Sequence, residues 1–185
     1  MRIISGINKG KKLYAPEGMS VRPTSDKIKE ALFNIIGPIT DDARVLDLFA
    51  GSGNVGIEFL ARGAKQCIFV DSSNKSLGFV KKNLELCSFT DRARTVLGDY
   101  EKTIRNLASG GEKFDYIFAD PPYNLNCGTN IARLVFEHNI LNPGGILIIE
   151  TDKCETVMDD MEDMLKYKEK IYGRTRISIL KCSEE

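Results

Sequence analysis

Val45-Leu46-Asp47-Leu48-Phe49-Ala50-Gly51-Ser52-Gly53-Asn54-Val55-Gly56 decides the fold. Val45 to Phe49 reads as a buried strand. Gly51 and Gly53 then let the backbone turn sharply and approach a ligand closely. A helix follows through Glu58 and Leu60 to Gly63, and its amino end is offered to negative charge. Gly51 to Gly56 fits the dinucleotide pattern G-x-G-x-x-G, which alone is a weak signal. Asp47 separates the readings. An acid inside the strand, just before the glycines, suits a hydrogen bond to an ammonium group, direct or through water, better than it suits a pyrophosphate.

Outward from this stretch the chain alternates strand and helix. Cys67 to Asp71 is a second strand, and Leu77, Val80 and Leu84 mark the core stripe of the next helix. Arg94 to Leu97 is a third strand, followed by a short helix carrying Thr103, Ile104 and Leu107. Phe114 to Ala119 is a fourth strand, Ile131, Leu134 and Val135 lie on a helix, and Gly145 to Glu150 is a fifth strand. Strands apolar on both sides and separated by helices predict an α/β fold, a parallel sheet covered on two faces. Ahead of it, Asp26 suits the first turn of a helix capped by Thr24 or Ser25 and ended by Gly37-Pro38. Its apolar face is read as Ile28, Leu32 and Ile35, with Ala31 and Ile36 flanking.

Both ends read differently. Arg2 to Gly6 and Lys11 to Ala15 flank the turn residues Asn8-Lys9-Gly10, which predicts a basic β-hairpin. Cys154 to Leu165 is expected to be an acidic helix. Lys168 to Tyr172 and Arg176 to Leu180, around Gly173-Arg174-Thr175, predict an antiparallel hairpin at the sheet's edge. Residues 1–22 are thus an N-terminal extension and 23–185 the main domain.

Asp47, Asp71, Asp99 and Asp120 lie at or near the carboxyl ends of successive strands, where open α/β sheets bind ligands. Asp71 can accept both hydroxyls of a ribose, and Asp99 can meet the exocyclic amine of an adenine. The bland reading of each is a helix cap. A rim lined with acceptors suits a ligand rich in amine and hydroxyl donors and carrying positive charge. Asp120-Pro121-Pro122-Tyr123 closes the fourth strand with a stiff turn, since proline lacks an amide hydrogen and has a fixed φ. An acid, rigid carbonyls and a flat ring suit a planar group bearing an amine.

Bulk properties restrict the function classes. The 185 residues suit one domain, and the absence of any long apolar run or signal-peptide pattern predicts a cytoplasmic protein. Five cysteines without a C-x-x-C pair argue against a disulfide framework and a zinc site, and no metal is expected. The single His138 is read as a surface or helix-end residue. Net charge is zero, yet residues 1–29 carry Arg2, Lys9, Lys11, Lys12, Arg22, Lys27 and Lys29 against Glu17 and Asp26. Residues 151–169 are acidic, so one face can attract phosphate while the whole stays neutral.

The glycine stretch resembles motif I of the class I S-adenosylmethionine-dependent methyltransferases, and Asp120 to Tyr123 resembles motif IV of those acting on exocyclic base amines. Arg2 to Gly6 with Gly10 to Leu13, Arg22-Pro23-Thr24 with Lys29 to Asn34, and Gly173 to Ser178 resemble the bacterial 16S ribosomal RNA guanine-N2 methyltransferases (RsmD). The resemblance runs through nearly the whole chain. Asn54-Val55-Gly56 departs from the Ala-Leu-Gly expected there, Phe59 and Ala61 are atypical, and lysines stand at 11, 12 and 27 where arginine is commoner. The resemblance implies a Rossmann-like fold, with a seven-stranded, mostly parallel sheet, and S-adenosyl-L-methionine as cofactor. It implies cofactor contacts at Asp47, Phe49, Gly51, Ser52, Gly53, Asp71, Ser72, Asp99 and Tyr100. Asp120, Pro121, Pro122 and Tyr123 would be catalytic. Arg2, Lys9, Lys11, Lys12, Arg22, Arg174 and Arg176, assisted by Lys170, would contact small-subunit ribosomal RNA, free or in the 30S particle. The sequence carries no sign of oligomeric state, and a monomer is the default expectation. Alternatives are an adenine-N6 methyltransferase on DNA or RNA, a nicotinamide-dependent oxidoreductase, and a non-catalytic RNA-binding assembly module.

Overall fold

Every second side chain of β1 (Arg44–Leu48) faces the same layer of helices, and this alternation organises the molecule. Val45 packs with α1 (Asp26–Ile36), α2 (Asn54–Ala61) and α3 (Asn74–Cys87), while Leu46 and Leu48 pack with α4 (Tyr100–Ser109) and α5 (Gly128–Glu137). The computed structural model describes residues 1–15, 26–157 and 164–183. The remaining strands are β2 (Gln66–Asp71), β3 (Ala93–Leu97), β4 (Phe114–Ala119), β5 (Leu141–Asp152), β6 (Met164–Tyr172) and β7 (Thr175–Cys182). They form one seven-stranded sheet in the order β3-β2-β1-β4-β5-β7-β6. The first five pair in parallel, and β7 pairs antiparallel with both β5 and β6. Two apolar layers, one on each face, match the doubly covered sheet the sequence predicts.

Several expectations change. The buried face of α1 is Ile28, Lys29, Leu32 and Phe33, rotated from the predicted stripe because a lysine sits on it. Its expected caps, Thr24 and Ser25, lie outside the described residues. Cys154 to Val157 is not helical and Met164 already belongs to β6, so the predicted acidic helix has neither of its expected ends. Residues 158–163, its middle, lie outside the described residues. The C-terminal hairpin is longer than expected, and the interior strand of its pair is β7.

The N-terminal segment forms a single antiparallel bridge, Arg2 to Lys12, where a two-stranded hairpin was expected. Its loop lies flat on helix ends. Ile7 N donates to Ala61 O at 2.8 Å, Asn8 Nδ2 to Cys87 O at 2.9 Å, and Lys11 Nζ to Leu86 O at 2.9 Å. Gly6 has φ +74°, and a Cβ there would stand 1.9 Å from Ala61 O, so the approach requires glycine. Ile3 and Leu13 are buried in the same layer as α1 and α2.

Beneath the loop lies a buried ion pair. Lys29 Nζ is 3.0 Å from Glu58 Oε2, and both side chains are 0% exposed. Lys29 Nζ also donates to Arg2 O at 2.7 Å and Asn54 Oδ1 at 2.8 Å. Glu58 accepts from Ile4 N at 2.9 Å, Ser5 N at 3.0 Å and Arg62 Nε at 2.9 Å. Dehydrating two charges is costly, and only such saturation by hydrogen bonds offsets it. Lys29→Met should therefore lower the free energy of urea unfolding by about 3–5 kcal/mol, because Glu58 keeps its charge and loses its lysine. A loss below about 1 kcal/mol, the level of a surface pair, would contradict this arrangement.

Candidate functional site

Strand order reverses between β1 and β4, since β2 and β3 lie on one side of β1 and β4 and β5 on the other. Leu48 sits opposite both Val70 and Ala119, so the loops leaving β1, β2 and β4 emerge side by side. A crevice at such a switch point is where doubly wound sheets bind ligands.

The glycine loop is held from several directions. Ala50 N donates to Val70 O at 2.9 Å, Gly51 N to Asp71 Oδ2 at 2.8 Å, and Asn83 Nδ2 to Ser52 O at 2.9 Å. Asn83, fully buried, also accepts from Tyr14 N and donates to Tyr14 O, so α3 joins the N-terminal segment to the loop. Gly51 and Gly53 have φ +57° and +80°. Phe49, at φ +62°, shares this left-handed region, which is strained for a bulky side chain. Its ring lies 5.1 Å from that of Tyr100. Asn130 Nδ2 in turn donates to Tyr100 Oη at 2.9 Å, which fixes this aromatic wall.

The four strand-end acids divide sharply. Asp47 is buried and its Oδ2 accepts from Gly56 N at 2.9 Å. It anchors α2 to β1 and does not open onto the rim, where an ammonium contact was expected. Burial pushes its carboxyl up to about 7. Gly56 is a packing glycine, since a Cβ would lie 2.3 Å from the Phe69 ring and 2.8 Å from Asp47 Oδ2. Asp71, half-buried, braces the loop through Oδ2 and accepts from Ser73 N through Oδ1, beside the exposed Ser72. Asp99 is exposed and caps α4, with Glu101 N and Lys102 N both on Oδ1, leaving Oδ2 to face a donor. Asp120, half-buried, has no hydrogen-bonding or ion-pair partner among the described residues. Burial, then the charges of Glu150 and Asp47, hold its carboxyl well above the usual carboxylate range.

Around Asp120, Pro121 is buried and Pro122 exposed, and Leu125 N donates to Pro122 O at 3.0 Å, closing a tight turn over Tyr123. The Tyr123 hydroxyl reaches Glu150 Oε1 at 3.4 Å and Thr175 Oγ1 at 2.9 Å. Glu150 closes the fifth strand as the sequence reads it, Gly145 to Glu150, although β5 runs on to Asp152, so the pattern of strand-end acids includes it. Asn83 and Thr175 carry no sequence signal of comparable strength.

The expected RNA contacts also divide. Lys9, Lys12 and Arg2 are exposed, Arg2 with Asp26 at 3.3 Å. Lys11 is turned onto the carboxyl end of α3. Arg174 is 73% exposed beside Asp152, whereas Arg176 is 13% exposed, and its guanidinium is occupied by Glu169 and the Lys153 carbonyl. Arg176 is therefore a strap between strands, and a free phosphate contact there is not what the structure offers. Lys170 is exposed on β6, and Arg22 lies outside the described residues.

A family model described as conserved hypothetical protein 95 matches residues 1–181. "Putative rRNA methyltransferase YlbH" of Bacillus subtilis is 40% identical over 98% of both chains. The ribosomal RNA small subunit methyltransferase D of Haemophilus influenzae is 32% identical over 94% of this chain and 89% of its own. A solved structure from Haemophilus influenzae, described as a "putative methylase", superposes with a TM-score of 0.81 at 28% identity, over 99% of this chain and 98% of that one.

Asp47 gives the site a measurable pH signature. An acid whose folded-state pKa lies above its unfolded value stabilises the fold while protonated. That contribution is full below the unfolded value of about 4 and is lost as pH rises toward about 7. Asp120, shifted in the same direction, adds to the fall. Asp47→Asn should flatten part of this decline in urea-unfolding free energy, and an unchanged slope would exclude Asp47 as its source.

Proposed function

The chain belongs to the conserved hypothetical protein 95 family, and from that premise we propose that it methylates small-subunit ribosomal RNA with S-adenosyl-L-methionine, at the exocyclic N2 amine of a guanine. Asp120 carries this reading. Of the four strand-end aspartates, it is the one left without a partner among the described residues, and it stands at the switch point beside the glycine loop. Burial and the neighbouring acids Glu150 and Asp47 disfavour its charge, and a carboxylate so perturbed at the ligand-binding edge of a sheet marks a functional site.

The residues fit the cofactor. Asp71 and Asp99 present carboxylate oxygens on adjacent strand ends, Phe49 and Tyr100 form an aromatic wall, and Gly51 to Gly53 bring the backbone close. When bound, the cofactor supplies an electrophilic methyl group on a positively charged sulfur. The chain's own work is positioning. The Asp120 carboxylate and the Pro121 carbonyl accept hydrogen bonds from the base amine and aim its lone pair. Tyr123 stacks on the base once it leaves its helix or loop. Donors arriving at Asp120 favour its ionised form and reverse the effect of burial. Orientation of this kind is worth up to about 7–11 kcal/mol, with no covalent nucleophile.

Lys9, Lys12, Arg2 and Arg174 grip phosphates, so residues 1–22 act as an RNA-contacting extension of the domain at 23–185. The substrate is an assembled or assembling 30S particle. The zero net charge of the chain supports this, because proteins on the particle then share in recognition. A ribosomal substrate places the enzyme in the cytoplasm, and no helix among the described residues is long and apolar enough to cross a membrane.

Transfer of a labelled methyl group to small-subunit RNA, naked and assembled, followed by nucleoside analysis, tests the substrate. Labelled N2-methylguanosine, favoured on the assembled particle, is expected, whereas N6-methyladenosine would replace guanine with adenine. Asp120→Ala should abolish transfer and leave cofactor affinity within about threefold, and retained turnover would remove its role. Replacing Lys9 and Lys12 with alanine should weaken RNA binding and flatten its salt slope by about two, roughly one for each phosphate that a lysine no longer neutralises.

A further inference from the structure

Tyr123 is held by its hydroxyl from two other strands. Its Oη stands 3.4 Å from Glu150 Oε1 on β5 and 2.9 Å from Thr175 Oγ1 on β7. A phenol has one proton. Given to the Glu150 carboxylate, it leaves the tyrosine oxygen to accept from the Thr175 hydroxyl. Glu150 is 2% exposed and Thr175 0%, so water does not compete for either bond. Tyr123 itself is half-buried, with its hydroxyl anchored in the protein.

Thr175 is itself fixed. It lies opposite Asp152 in β5 and Tyr172 in β6, directly after the Gly173-Arg174 turn. Lys153 N donates to Arg174 O at 2.8 Å, and Arg174 pairs with Asp152 at 3.3 Å. Glu150 is fixed by pairing with Ile177. The hairpin thus reaches the rim through one hydroxyl.

We infer that Thr175 and Glu150 are positioning residues that lock the Tyr123 ring in register with Asp120, coupling the arginine-bearing hairpin turn to the base-holding ring. This rests on the methyltransferase reading above. A free tyrosine could pivot about its turn, and transfer by orientation loses rate for small misplacements. Docking of RNA against Arg174 would act on the same hairpin, one residue from Thr175.

The test measures single-turnover and steady-state transfer to small-subunit RNA for Thr175→Val, Thr175→Ser and Glu150→Gln, alone and with Tyr123→Phe. Thr175→Val should lower kcat about tenfold, as loss of a buried hydrogen bond does, with the KM for cofactor unchanged. Thr175→Ser, which keeps the hydroxyl, should recover most of that loss. With Tyr123→Phe present, Thr175→Val should lower kcat no further, since the bond is already gone. An equal loss in both backgrounds, or no loss at all with wild-type turnover intact, overturns the lock and leaves the methyltransferase reading standing. Absence of transfer by the wild-type chain to naked and assembled RNA overturns both. If Thr175→Val does not fold, Glu150→Gln carries the same comparison against Tyr123→Phe.

Discussion

The contact between Lys29 and Glu58 is the constraint on which the site's surroundings depend. A buried lysine and a buried glutamate are unfavourable as isolated ions, and here neither is isolated. The lysine reaches the Arg2 carbonyl and Asn54, and the glutamate collects Ile4 N, Ser5 N and Arg62. One pair thereby joins α1, the first residues of the chain and α2. Asn54 is the first residue of α2, immediately after Gly53, so the pair lies directly behind the glycine loop. The N-terminal segment is part of the wall that shapes this loop, from Ser52 beside Met1 to Asn83 between Tyr14 and Ser52.

The strand-end acids show how one position can serve different ends. Asp47 points to the layer of α2 and saturates a helix amide, Asp71 holds the loop that follows β1, and Asp99 caps a helix. Each lowers the free energy of the fold through bonds to backbone amides. Asp120 makes no such bond among the described residues, and its surroundings disfavour its charge. Burial disfavours the charge of Asp47 as well, but Asp47 has the Gly56 amide to accept from, and Asp120 has no such donor among the described residues.

The C-terminal hairpin extends this logic. Its arginines look alike in sequence, yet Arg176 is bound to Glu169 and a carbonyl and is largely buried, while Arg174, beside Asp152, is mostly exposed. The hairpin contributes a strap, an exposed cation and, at Thr175, a hydroxyl that reaches Tyr123. An element that closes the edge of a sheet thereby also touches the turn that follows β4.

Much of this was legible in the sequence. The five parallel strands followed from apolar runs separated by helical stripes, because a strand buried on both faces leaves no polar alternation. The glycine loop and the stiff turn after β4 followed from the glycines and Asp120-Pro121-Pro122-Tyr123, whose backbone restrictions are local. What escaped was set by contacts distant along the chain. Lys29 stands 29 residues from its partner Glu58, and a lysine on a helix reads as solvated until a buried acid meets it. The exposed cation at Arg174 and the occupied one at Arg176 differ only in neighbours that β6 and the Lys153 turn bring near. The sequence by itself determined the sheet, the loop and the row of acids, since local stereochemistry and periodic burial fix those. Tertiary structure alone decided which acid is left without a partner among the described residues and which hydroxyl meets that of Tyr123, since both depend on what folding brings into contact.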